Sequence, residues 1–265
     1  MSKNIYPDHI YEPVRHQIAA ELVAKECLKL FPSTEPEDRV NMAKDIAGWW
    51  DGQGHQLAPV HDFWNGFNGI MSGFKLKHTV RFLTAKNASW QRKQVKVANI
   101  KVAWRLPSLE QLGNPPYTYE QITTWLKNNP QQLAKQRKIA EQYSTDFQPR
   151  DHYPVLLLRQ NSELTVIDGN RRTLQAILHN KQTIDAWVGD LGSDVNPVNY
   201  WVSTAMLRDL LRIAEAAEYE GDIEVIDTVR SLLAHLCKVS EIAKINWDLR
   251  CRDQSDLAES ITPKD

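Results

Sequence analysis

Five consecutive residues, Asp168-Gly169-Asn170-Arg171-Arg172, have the types and the order needed to hold a phosphate group. Leu164-Thr165-Val166-Ile167 before them reads as a buried strand, and Asn170 to Asn180 reads as a helix, so the string falls where strand becomes helix. At such a junction the first N–H groups of the helix and the positive end of its dipole point outward together. Two guanidinium groups add charge-assisted donors, Thr173 adds a hydroxyl, and Gly169 lets the backbone approach a ligand closely. Asp168 could hold a metal ion or orient a water. It could equally cap the helix that follows, and both roles stay open. Adjacent helical positions diverge by about 100°, so only one of Arg171 and Arg172 readily points into a single pocket. The plain alternative is a tight turn whose arginines are solvated. Glu110 and Glu120 could complete a metal or base position, and Thr123 and Thr124 could bind phosphate oxygens, with an ordinary polar surface as the competing account.

A second feature is a gap in the acids. Between Asp62 and Glu110 there is no Asp or Glu, while nine lysines and arginines fall inside the interval. Lys75 to Phe82 alternates polar and apolar residues with period two, as do Lys93 to Val97 and Ile100 to Val102, which predicts two or three strands with a hairpin turn near Ala85 to Ser89. Its cationic face would carry Lys75, Lys77, Arg81, Arg92 and Lys93, and Trp90, flanked by cations, suits stacking of a base. That face could bind a DNA or RNA backbone. It could instead dock on the acidic stretch from Glu218 to Asp227 in the same chain or a neighbour.

The elements that must position these groups follow from punctuation and period. Val14 to Phe31 predicts a helix, Ser33-Thr34 with Pro36 starts a second that ends near Gly52, and Val60 to Met71 predicts a third. Thr118 caps a helix from Tyr119 to about Asn128, Pro130 interrupts, and Gln131 to Tyr143 resumes. Pro154-Val155-Leu156-Leu157-Leu158 and Leu164 to Ile167 form a hairpin turning at Gln160-Asn161-Ser162, and Thr183 to Val188 returns as a strand. Beyond Pro197, Leu207, Leu210, Leu211 and Ala214 share a helical face, and Ile223 to Leu236 resumes it after Gly221. The expected class is α+β: a helical module over 1–72, a mixed α/β core over 73–190, a C-terminal helical hairpin over 197–252 that could join a second copy, and a disordered tail over 253–265.

Composition narrows the function. With 265 residues, 42% hydrophobic and 25% charged, the chain has room for a sizeable core and no run of the roughly 18 apolar residues that a membrane span needs. The start lacks the apolar region of a secretory signal, which makes the cytoplasm the default expectation. A net charge of -1 argues against a tail-type nucleic-acid binder. Cys27, Cys237 and Cys251 lie far apart with no CxxC pair, and no two of the eight histidines share metal-ligand spacing, so no structural metal is expected.

Taken together, Pro154-Val-Leu-Leu-Leu, a polar turn, Leu164-Thr-Val-Ile-Asp-Gly-Asn-Arg-Arg-Thr-Leu-Gln-Ala and the strand Ile184-Asp-Ala-Trp-Val resemble the core of the ParB/sulfiredoxin superfamily. There a second strand delivers a G-x-x-R turn into a helix, matched here by Gly169-Asn170-Arg171-Arg172. Lys96 to Val102 resembles the early strand and Tyr119 to Asn128 the helix after it. The resemblance covers about a third of the chain. It implies a nucleotide site in which the turn grips the phosphates of ATP or CTP, usually with Mg2+, and it favours Arg172 as the phosphate arginine; Arg172 and, from its place at the strand end, Asp168 are the catalytic candidates. Family members hydrolyse nucleotides, cut nucleic acids, phosphorylate serine or reduce a sulfinic acid. Asn170 stands where sulfiredoxin needs a cysteine and where partition proteins carry a glutamate, and the histidine that the kinase-like members carry in the turn is absent. Reductase chemistry is thereby set aside, and a standard partition protein is disfavoured by the acidic helices after Pro197. NTP hydrolysis or phosphotransfer remains the first expectation, and nucleic-acid binding or nuclease action the second.

Overall fold

A computed structural model describes residues 5–27, 38, 41, 60–73, 77–103, 112, 114–146, 153–194 and 196–263. The chain is a mixture of helix and sheet, with helices toward both ends and a five-stranded mixed sheet between them. It divides into two compact units that are not consecutive in sequence: residues 16–52 with 88–196, and residues 1–15, 53–87 and 197–265.

The first of these holds the sheet. Helix α1 (Pro13–Cys27) enters it at His16, and the strands are β1 (Ser89–Lys96), β2 (Ile100–Lys101), β3 (Val155–Gln160), β4 (Glu163–Asp168) and β5 (Thr183–Asp190). Helices α4 (Tyr119–Asn128), α5 (Pro130–Asp146) and α6 (Asn170–Leu178) interleave with them. Strand order is β1-β5-β3-β4-β2, antiparallel for β1/β5 and β3/β4 and parallel for β3/β5 and β2/β4. The central strand β3 has neighbours on both sides and layers on both faces, which is why Val155 to Leu158 is a continuous apolar run, each residue at most 5% exposed. Val155, Leu157, Leu164, Val166, Ala186 and Val188 share one face. The helices α4 and α6 pack together through Ile122, Trp125, Leu126, Leu174, Ala176 and Ile177. On the other face α1 meets Leu156 and Trp187 through Ile18, Glu21, Leu22 and Lys25. Thr118 caps α4 as expected, and Gln121 returns the bond to the Thr118 amide, which completes a reciprocal cap.

The second unit is helical among its described residues. It contains a 3-10 turn (Asp8–Tyr11), α2 (Val60–Gly73), α3 (Lys77–Leu83), α7 (Thr204–Glu220), α8 (Ile223–Val239), α9 (Glu241–Arg250) and α10 (Asp256–Ile261). Gly221 in the left-handed region and the Asp222 cap make the short turn between α7 and α8. Leu207, Leu211, Ala214, Val229, Leu233, Leu236 and Trp247 form the core between the C-terminal helices. A neutral polar knot adds to it: Tyr6 Oη donates to Asn246 Oδ1 at 2.8 Å, and Asn246 Nδ2 donates to the Val202 carbonyl at 2.8 Å. Asn65 Oδ1 accepts from Trp201 Nε1 and from the Thr204 amide.

Two expectations are corrected here. Lys77 to Leu83 is helical rather than a strand, because Thr79, Val80 and Leu83 are the buried set, which is a helical spacing that the local alternation concealed. Lys75 lies outside the described residues, as do the second predicted helix apart from 38 and 41, and Glu110. Residues 253–263 are not a disordered tail: Ser255 caps α10, and Leu257, Ala258 and Ile261 are buried in the C-terminal core. No helix among the described residues is long and apolar enough to cross a membrane.

Candidate phosphate-binding turn

The strand β4 ends on Asp168, Gly169 turns the chain, and α6 begins at Asn170, so the junction read from the sequence is where the structure places it. Gly169 has φ of 100°, a conformation in which L side chains are strained. A Cβ there would also lie 2.7 Å from Val155 Cγ1. Thr173 N–H and Oγ1 both donate to the Gly169 carbonyl, at 2.9 and 3.1 Å, which closes the first turn. Thr173 is fully buried, so its hydroxyl braces the turn and does not face a ligand. Asn170 Oδ1 accepts from the Ala103 amide at 3.1 Å and ties the chain after β2 to the head of the helix.

The two arginines take different paths. Arg171 is exposed on the outer side of the first turn. Arg172, expected as the exposed phosphate arginine, is instead folded back with only 12% of its side chain exposed. Its Nη1 donates to the carbonyls of Tyr153 and Pro154, and its Nη2 donates to Asp168 Oδ2 at 3.1 Å. The reason is local: Tyr153 and Pro154 precede β3, and the guanidinium fork supplies their carbonyls with donors.

The residue at the helix N-cap is Gly169, not Asp168, and the Asp168 carboxylate is not open. Its Oδ2 also accepts from Lys25 Nζ, and the same ammonium lies 3.1 Å from Glu26 Oε1. Lys25 and Glu26 are 5% and 1% exposed on their side chains. Sequence reading missed both, because Lys25-Glu26 follows Leu22-Val23-Ala24 on a helix that also carries Arg15, His16, Gln17 and Glu21, so nothing local marks the pair as buried. Beside the cluster lies a cavity of about 10 Å³, room for about one water, bounded by Glu21, Lys25, Tyr153, Pro154 and Trp187. Trp187 Nε1 donates to Glu21 Oε2 at 2.7 Å. Burial, with Glu21 nearby, pushes the Tyr153 hydroxyl up to about 12, so it stays protonated across the physiological range. Among the described residues no three His, Cys, Asp or Glu side chains are grouped to hold a metal ion.

The expected nucleic-acid face does not come together as a hairpin. Lys77 and Arg81 sit on α3 in the helical unit, whereas Trp90, Arg92 and Lys93 sit on β1 in the sheet unit. Trp90 is 6% exposed because its ring covers Gly189 on β5, where a Cβ would come within 2.6 Å of it, so it is not an open stacking platform. Arg92 pairs with Trp187 and Lys93 with Ala186 in the register, which puts the two cations on opposite faces of the strand. Arg92 is bound to Asp185 through Nε at 3.1 Å and Nη2 at 2.7 Å, so acids distant in sequence neutralise part of the acid-free stretch. Lys101 likewise pairs with Glu163 at 2.5 Å. Of the helix residues considered for phosphate, Glu120 and Thr124 are exposed, and Thr123 Oγ1 donates back to the Tyr119 carbonyl at 2.9 Å.

No protein-family model matches this sequence, and no curated protein or solved structure is significantly similar to it.

Proposed function

We propose that the sheet-bearing unit is a ParB/sulfiredoxin-like nucleotide-binding domain in which the head of α6 receives the phosphates of a nucleoside triphosphate, ATP or CTP. The observation that carries this reading is the strand-to-helix junction itself: a glycine with φ of 100° starts a helix whose first turn presents Arg171 outward. Backbone donors, the helix dipole and a guanidinium then converge on one anion. Arg172 acts from behind, holding Asp168 and the start of β3 so that the turn keeps its shape. The reaction that fits such a site is hydrolysis or phosphotransfer, with the triphosphate positioned by the turn.

A thermal-shift panel of ATP, CTP, GTP and UTP, with and without Mg2+, tests it. A ligand at a hundred times its dissociation constant stabilises the protein by about 2.7 kcal/mol. One or more nucleotides should raise the melting temperature, and Arg171→Glu should remove that shift. The rival reading, a nucleic-acid binder or nuclease using the same turn, would show instead as duplex or single-strand affinity that falls steeply with salt.

A further inference from the structure

We infer that the Lys25 ammonium takes the place that a divalent cation would hold beside Asp168, so that the turn works without a resident Mg2+. The inference rests on the phosphate-site reading for its functional meaning, while its physical core stands on the cluster alone. Lys25 Nζ is bonded to Asp168 Oδ2 and lies 3.1 Å from Glu26 Oε1, one compact cation between two carboxylates. Mg2+ in nucleotide sites is commonly held by one or two carboxylates in the same way. The lysine side chain is 5% exposed, Glu26 only 1% and Asp168 12%, so the ammonium takes over most of the neutralising that water would supply.

Charge balance points the same way. Lys25 and Arg172 supply two positive charges, and Glu26 and Asp168 two negative ones. Within that set each carboxylate already has a cation against it, so a divalent ion beside Asp168 would have to displace the Lys25 ammonium. Lys25 comes from α1, more than a hundred residues before the turn, so the fold itself delivers the cation. It is a positioning residue: it shares the Asp168 Oδ2 atom with Arg172 and so fixes the carboxylate that holds that arginine.

The test melts wild type and Lys25→Ala in EDTA and across millimolar MgCl2 or MnCl2 at constant ionic strength. Wild type should not respond to the metals. Lys25→Ala should melt about 10 °C lower in EDTA, because one partner of a buried set is gone. It should regain most of that loss along a saturable Mn2+ or Mg2+ curve, and Lys25→Ala combined with Glu26→Gln and Asp168→Asn should regain none. A saturable Mg2+ shift of wild type that Asp168→Asn abolishes would overturn the inference. So would a Lys25→Ala protein that metals do not stabilise, or that fails to refold with Mn2+ present. Pyrophosphate binding supplies the functional arm: wild type should bind it equally in EDTA and in Mg2+, and binding only with Mg2+ overturns the metal-independent turn. No pyrophosphate binding in either condition would sink the phosphate-site reading instead, leaving the melting curves to judge the lysine.

Discussion

The two units bury polar groups differently. In the helical unit Tyr6, Asn65, Asn246, Trp201 and Thr204 exchange neutral hydrogen bonds among amides, a hydroxyl, an indole and backbone, and the buried Arg15 guanidinium donates to the Leu83 and Ala85 carbonyls and pairs with the half-exposed Glu12. In the sheet unit the buried set is ionic and gathers at one strand-to-helix turn. Neutral bonds matched partner to partner each add a modest amount to stability and fix which groups meet. A buried ionic set returns little net stability against an apolar replacement, yet is costly to break on one side. In the sheet unit two cations and two carboxylates gather at one turn, whereas in the helical unit a single buried guanidinium is answered by backbone carbonyls and one partly exposed carboxylate.

Mutations can break that contrast at either end. The largest effect should come from Asp168→Ala, which removes the carboxylate that Lys25 and Arg172 share; the sheet unit should lose about 3–5 kcal/mol, read by urea unfolding. Next is Asn246→Leu, which leaves the Tyr6 hydroxyl and the Val202 carbonyl without their partner and should cost the helical unit roughly 2–4 kcal/mol in the same assay. Gly169→Ala should cost about 1–3 kcal/mol from its left-handed φ, with Val155 forced to give way. Should Asn246→Leu prove costlier than Asp168→Ala, the ionic set is not the tighter constraint.

A pH series sharpens the comparison with a smaller effect. Burial, then the charge of Arg15, holds the His9 imidazole below its ordinary range. The folded state therefore favours the neutral ring, which bonds the Asn199 carbonyl at 3.0 Å. Its contribution is complete above the unfolded value of about 6.5 and is lost as pH falls below it. His9→Gln should flatten that limb of the stability curve. Smallest of all is Arg92→Ala: its pair with Asp185 is nearly half exposed on the arginine side and should change stability by under about 1 kcal/mol.

Where local period and burial agree, the fold was readable. The run Val155 to Leu158, the turn at Asn161-Ser162 and the Asp168-Gly169 junction come from signals contained within a few residues. Lys77 to Leu83 misled because seven residues can satisfy a period of two and a period of 3.6 at once, and only tertiary burial of Val80 and Leu83 decided between them. Trp90 was misread for a longer-range reason: the space it fills is made by Gly189 on the partner strand, and no spacing within β1 reports that. The turn was found but its inner wiring was not. Lys25 and Tyr153 reach Arg172 and Asp168 only through the fold, so the sequence assigned to Arg172 the outward role that position gives to Arg171.

Isothermal titration of ATP and CTP into wild type and Arg171→Ala tests the central claim most directly. Charge-assisted bonds contribute about 1.5–3 kcal/mol each, so the variant should bind its preferred nucleotide roughly tenfold to a hundredfold more weakly. Its melting temperature should stay at the wild-type value, because an exposed first-turn side chain adds little to the core. Equal affinity in the two proteins, or no nucleotide binding by wild type, would contradict the account.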